Sequence, residues 1–155
     1  MVCFTRYSGG AIKFSPKFLS SIPQIKTHLR LDSIINMENG NVCDAEVLKC
    51  QPVIAFCGIA NPEGFRQILQ DVQVQLKMFK AFPDHHEYSL NDIKELESIA
   101  SQEGVKFILV SEKDAVKLKK MKLSLPFFKV VIELEILEGR EIFNKKITTT
   151  NRGDN

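Results

Sequence analysis

The stretch Val53-Ile54-Ala55-Phe56-Cys57 is apolar at every position, and Asn61-Pro62 follows four residues later. No other feature of the chain restricts the fold as much. A strand with one wet face alternates polar and apolar residues, whereas a short continuous apolar run belongs to a strand covered on both faces. Asn61 is a helix-capping residue, and Pro62 suits the first helical position, where its missing N–H costs nothing. Phe65, Ile68 and Leu69 then give that helix an apolar stripe. The same alternation continues downstream. Residues 74–79 alternate as a second strand, and Ser89 with Asp92 forms a capping box. Leu90, Ile93, Leu96 and Ile99 recur on one helical face, and Gly104 supplies a left-handed stop. Residues 105–110 read as another buried strand, Ser111 and Asp114 repeat the capping logic, and 127–137 (FFKVVIELEIL) reads as a last long strand near 128–136. Strands alternating with helices predict βαβ units. The expected fold class is α/β: a three-layer α/β/α sandwich with a mostly parallel sheet, burying Phe56, Phe65, Leu69, Leu96, Ile108 and Val131.

The first fifty residues lack this pattern. Gly9-Gly10, Pro16, Pro23 and the turn-rich segment 36–44 interrupt the apolar residues, so 1–50 is expected to be a weakly structured connecting segment. Residues 51–140 then form the α/β subdomain, and 141–155 a polar tail. The Arg152-Gly153-Asp154 triplet in that tail is read as a chance match. Net charge is +2 with acids and bases interleaved, which leaves no concentrated basic stripe for nucleic acid. Cys3, Cys43, Cys50 and Cys57 have no CxxC spacing and read as reduced thiols of a cytoplasmic chain. The apolar runs are far shorter than the roughly 20 residues that span a bilayer.

Between the second strand and the capping box lies Phe82-Pro83-Asp84-His85-His86-Glu87-Tyr88. Ligands of βαβ proteins collect beyond the carboxyl ends of the strands, where this loop falls. A histidine beside a carboxylate suits acid–base chemistry near neutral pH. Metal binding is a weaker reading, since adjacent histidines on an extended chain point opposite ways and His28 is the only other histidine. An Asp-His-His triplet also occurs in manganese phosphoesterases, but there it ends an apolar strand and has further aspartate motifs. A plain solvated loop is the commonest outcome for so short a motif.

Three segments taken in order narrow these readings. Residues 55–65 (AFCGIANPEGF), 82–89 (FPDHHEYS) and 111–118 (SEKDAVKL) resemble the C-terminal half of the tetraacyldisaccharide 4'-kinase family of lipid A biosynthesis. The resemblance implies the C-terminal subdomain of a P-loop-kinase-like protein. It also implies transfer of the ATP γ-phosphate to the 4'-hydroxyl of a lipid-linked glucosamine disaccharide, with magnesium, peripherally on the cytoplasmic face of the inner membrane. By the same resemblance His85 acts with an aspartate of the N-terminal half to activate the hydroxyl, His86 is its fallback, and Asp84 orients the loop. Lys113 and Lys117 could approach a phosphate or a lipid surface, though solvated lysines are commoner. Ala60 stands where the family has glycine, and Gly64 where it has a bulkier residue. The sequence contains no GxxxxGK[ST] phosphate loop. The expectation is therefore a truncated or split chain, inactive until its N-terminal partner half is supplied. A non-catalytic binding module and, less favoured, a metal-dependent phosphoesterase are the alternatives.

Overall fold

The computed structural model describes residues 2–4 and 22–150. The chain divides into two compact units, one of Leu31–Ile132 and one of Met1–Arg30 with Glu133–Asn155. Strands are β1 (Val2–Phe4), β2 (Gln24–Asn36), β3 (Val42–Asp44), β4 (Pro52–Cys57), β5 (Gln75–Ala81), β6 (Ile108–Ser111) and β7 (Phe127–Glu138). Helices are α1 (Pro62–Asp71), α2 (Leu90–Gln102), α3 (Glu112–Leu118) and α4 (Arg140–Thr150), with a 3-10 turn at Ala45–Leu48.

In the larger unit the strand order is β2-β7-β6-β4-β5, with β3 paired to β2. The pairs β4–β5, β4–β6 and β6–β7 are all parallel, and β3 runs antiparallel to β2. Right-handed crossovers put α1 on one face of this sheet and α2 and α3 on the other. Side chains agree. Ile54, Phe56, Ile108 and Val110 pack with Ile93, Leu96, Ala115 and Leu118 in one apolar cluster. Phe79 turns the other way and meets Phe65 of α1 at 6.2 Å between ring centroids. The expected three-layer α/β/α sandwich with a mostly parallel sheet is present in this unit. In the smaller unit β1 is parallel to β2 at Val2–Gln24. Lys26 pairs with Glu138 and Arg30 with Glu133, so β2 and β7 run antiparallel there.

The helix starts follow their sequence signals. Asn61 Oδ1 accepts from the Gly64 N–H, with Pro62 at the first position of α1. Ser89 and Asp92 form a complete capping box on α2. Phe56, Phe65, Leu69, Leu96 and Ile108 are buried as expected.

Four expectations change. The strand expected at 105–110 begins only at Ile108. The α2 terminus takes the earlier residues: Gly104 sits at φ +66°, its N–H reaches the Ser101 carbonyl, and the Val105 N–H reaches that of Ala100 at 2.8 Å. Both bonds belong to the Schellman stop, so Val105 is buried but lies outside the ladder. Val131 is half-buried, while Val130 is fully buried. Val130 is paired with Ser111, the last residue of β6, whereas Val131 points to the opposite face and lies past the end of that pairing. Leu90, at the first position of α2, is exposed. Finally, the segment expected to connect holds the 13-residue β2, β3 and the 3-10 turn, and residues 141–150 of the expected tail are helical. Residues 5–21 and the Arg152-Gly153-Asp154 triplet lie outside the described residues.

The two valines separate these environments in an experiment. Val130→Ala should lower the unfolding free energy by roughly 2 kcal/mol and Val131→Ala by less than about 1 kcal/mol. Urea titration of each variant checks the order, and an equal loss at both positions would contradict the register.

Candidate active site

Beyond the carboxyl ends of β4, β5 and β6 three segments meet: Gly58–Asn61, Phe82–Ser89 and the first turn of α3. They are the three stretches that carry the family resemblance. Hydrogen bonds join them. The Phe82 N–H donates to the Cys57 carbonyl at 2.8 Å, and the His85 N–H donates to the Gly58 carbonyl at 3.3 Å. The Gly58 N–H in turn donates to Asp114 Oδ2 at 2.7 Å.

Asp114 has no solvent exposure. Besides the Gly58 amide, its carboxylate accepts from the Ser111 hydroxyl, and Lys117 Nζ lies 3.4 Å from Oδ1. The Ser111 hydroxyl accepts from the Asp114 N–H, so half of a capping box is present. The other half is not, because the carboxylate takes the Ser111 hydroxyl and the Gly58 amide at the end of β4 in place of the Ser111 amide. Sequence alone read Asp114 only as a cap residue. Nothing in a Ser-x-x-Asp spelling distinguishes these two geometries; the close neighbour at Gly58 decides between them. A Cβ at position 58 would lie 3.0 Å from Tyr88 Oη, 3.1 Å from the Pro83 carbonyl oxygen and 3.3 Å from Asp114 Oδ1. Tyr88 Oη is buried without a hydrogen-bond partner. Burial first, and the Asp114 charge second, raise the Tyr88 hydroxyl and push the Cys57 thiol up to about 11.

The loop separates its two histidines. The His86 ring stacks on Phe82 at 4.6 Å, meets the edge of Tyr88 at 5.0 Å, and places Nε2 3.2 Å from Asp92 Oδ2. The His86 carbonyl accepts from Lys117 Nζ at 2.9 Å. His86 is a packing and hydrogen-bonding residue. His85 has the left-handed φ of 61°, uncommon outside glycine, and its side chain is 76% exposed. Its Nε2 lies 3.6 Å from Asp84 Oδ2. Asp84 is held by Lys113 Nζ at 3.1 Å, and that hydrogen bond above all keeps its carboxyl below the usual aspartate range. Asp84, His85 and His86 are thus together in one loop, with one imidazole outward and one inward. Lys113 and Lys117 are engaged with that loop. The backbone at Ala60 is not among the positive-φ positions, so the alanine in place of the family's glycine carries no strain.

Fold and site together define a parallel α/β protein that gathers its polar loops at one edge of the sheet, where this architecture binds ligands. The chain belongs to the tetraacyldisaccharide-1-P 4'-kinase family, whose model matches residues 4–151. The tetraacyldisaccharide 4'-kinase of Syntrophus aciditrophicus is 34% identical over 105 residues, covering 67% of this chain and 28% of that enzyme. That of Pelobacter propionicus is 36% identical over 103 residues, covering 66% and 28%. This chain thus matches under a third of the length of these relatives. An LpxK crystal structure from Aquifex aeolicus, an "apo" form in complex with ATP, shares the fold with a TM-score of 0.60 at 23% identity. It covers 95% of this chain and 42% of that one.

Two outcomes check this geometry. Gly58→Ala should cost about 1–3 kcal/mol in a urea titration, because backbone and two packed side chains must move to admit one methyl group. Asp92 is held below its ordinary value of 3.8, first by the Ser89 N–H and then by the Ser89 hydroxyl and His86. A lowered folded pKa means that this stabilisation is complete above the ordinary value and is lost as pH falls through the folded one. Melting temperature followed below about pH 4 should therefore fall less steeply in Asp92→Asn than in the parent.

Proposed function

We propose that these residues form the C-terminal part of a lipid A 4'-kinase, in which His85 is the general base for the accepting sugar hydroxyl. The observation that carries this is the division of labour in the loop: His86 is packed inward, while His85 is turned out at the ligand-binding edge with a carboxylate beside it. In the proposed step His85 takes the proton of the 4'-hydroxyl. The oxygen forms a bond to the γ-phosphorus of ATP as the bond to ADP breaks. Asp84, fixed by Lys113, orients the imidazole. The protein's contribution to phosphoryl transfer is mainly positioning and charge neutralisation, with one residue handling the nucleophile's proton.

On this reading neither ATP nor magnesium is held by this chain alone. The sequence has no phosphate-cradling GxxxxGK[ST], and among the described residues no group of three or more His, Cys, Asp or Glu is placed to hold a metal ion. Both fall to an N-terminal half outside these 155 residues, which also brings the aspartate that acts with His85. None of the described helices is long and apolar enough to cross a membrane. On this reading the lipid-linked substrate is met peripherally, at the cytoplasmic membrane surface.

The 155-residue chain alone should give no ATP-dependent phosphorylation of the disaccharide. Supplied with the N-terminal half of a relative it should become active, and His85→Ala should then cut turnover by about 10²-fold or more. The KM for ATP should change little. Undiminished turnover in His85→Ala would refute the assignment, and phosphorylation by the chain alone would refute the division between halves.

A further inference from the structure

We infer that Asp114 is a positioning residue for His85, acting through the Gly58 peptide. This rests on the reading of His85 as the base. Residue 85 stands in a left-handed backbone conformation that a histidine adopts only when its surroundings hold it there. What holds it is its N–H, which donates to the Gly58 carbonyl at 3.3 Å and to Asp84 Oδ1 at 3.1 Å. Both acceptors are fixed by consecutive residues of one helical turn. Asp114 binds the N–H of Gly58, and Lys113 binds the Asp84 carboxylate.

The first link is the stronger. It is a charge-assisted bond to a carboxylate that water does not reach, in a place where Gly58 has no room for a Cβ to loosen it. Lys117 braces the same loop one residue further on, bonding the His86 carbonyl and facing the same carboxylate. The Asp114 charge therefore sets where the loop backbone stands, and with it where the exposed imidazole points. A residue that only capped α3 would do none of this.

Solution NMR of the ¹⁵N-labelled chain reads the coupling without substrate. A left-handed residue gives a strong NOE between its own amide and Hα protons. In Asp114→Asn, close to isosteric but uncharged, that NOE at His85 should weaken, and hydrogen exchange at the Gly58 amide should quicken about fivefold. The kinase reconstituted with Asp114→Asn should lose turnover about tenfold or more at unchanged KM for ATP, and the acid limb of its turnover–pH profile should move. Leu96→Val, a core variant that removes none of the loop's hydrogen bonds, should lower stability and leave that limb in place. If the variant does not fold, a through-hydrogen-bond coupling between the Gly58 nitrogen and the Asp114 carboxyl carbon in the parent chain is the deciding measurement. Its absence, or an unchanged His85 NOE with unchanged Gly58 exchange in folded Asp114→Asn, overturns the inference. Full turnover of His85→Ala would instead overturn the base assignment and leave the NMR coupling intact, so the two failures are distinguishable.

Discussion

A carboxylate cut off from water has to be satisfied from within, and Asp114 meets that requirement by drawing three structural elements together. Its partners are the first amide after β4, the hydroxyl that caps its own helix and an ammonium group one turn along. Removing any one leaves a buried charge short of donors, a penalty larger than the net worth of an ordinary hydrogen bond. The arrangement of the ligand-binding edge follows. With the Gly58 amide fixed, its carbonyl can receive the His85 amide, and the loop after β5 takes its path around Pro83. The aromatic cluster of Phe56, Phe82, Tyr88 and Phe127 fills the space beneath in edge-to-face contacts.

The fold was legible where one physical cause decides one local structure. A short, fully apolar run fits a doubly covered strand, and Asn-Pro before an apolar stripe fits a helix start; both hold. Boundaries failed where two elements compete for one residue. Val105 has the composition of a strand residue, but the Schellman bonds of α2 claim its amide. Strand β2 lies in the segment expected to connect, although its signal is present in the sequence. From Ile25 to Leu31 apolar or small residues alternate with Lys26, His28 and Arg30, and Ile25, Thr27 and Leu31 are buried. The neighbouring prolines and glycines masked a period-two pattern that is common in a strand with one solvated face.

The candidate site was legible as a list and not as an arrangement. Asp84, His85 and His86 stand out by residue type, and their order along the chain carries the family resemblance. Which imidazole faces solvent depends on the ring of Phe82 and the carboxylate of Asp92, and no spacing rule encodes that choice. Asp114 shows the same limit more sharply. Ser89-x-x-Asp92 and Ser111-x-x-Asp114 are the same word in sequence. One is a complete capping box and the other a tie to a neighbouring strand, and only the tertiary neighbourhood tells them apart.

The tie between Gly58 and Asp114 also spans 56 residues of chain, whereas the capping box of α2 closes over three. Closing a loop of that length costs roughly 3–4 kcal/mol of chain entropy before any bond rewards it. The helix cap is a property of its own short segment. The Gly58–Asp114 tie, by contrast, belongs to two complete βαβ crossovers at once. A chain cut between residues 58 and 114, anywhere outside Ser89–Asp92, can keep the cap on one of its pieces, but neither piece can hold the tie. In the language of polymer topology, the loop of Asp84, His85 and His86 is a closed circuit through most of the larger unit rather than a motif that could be lifted out.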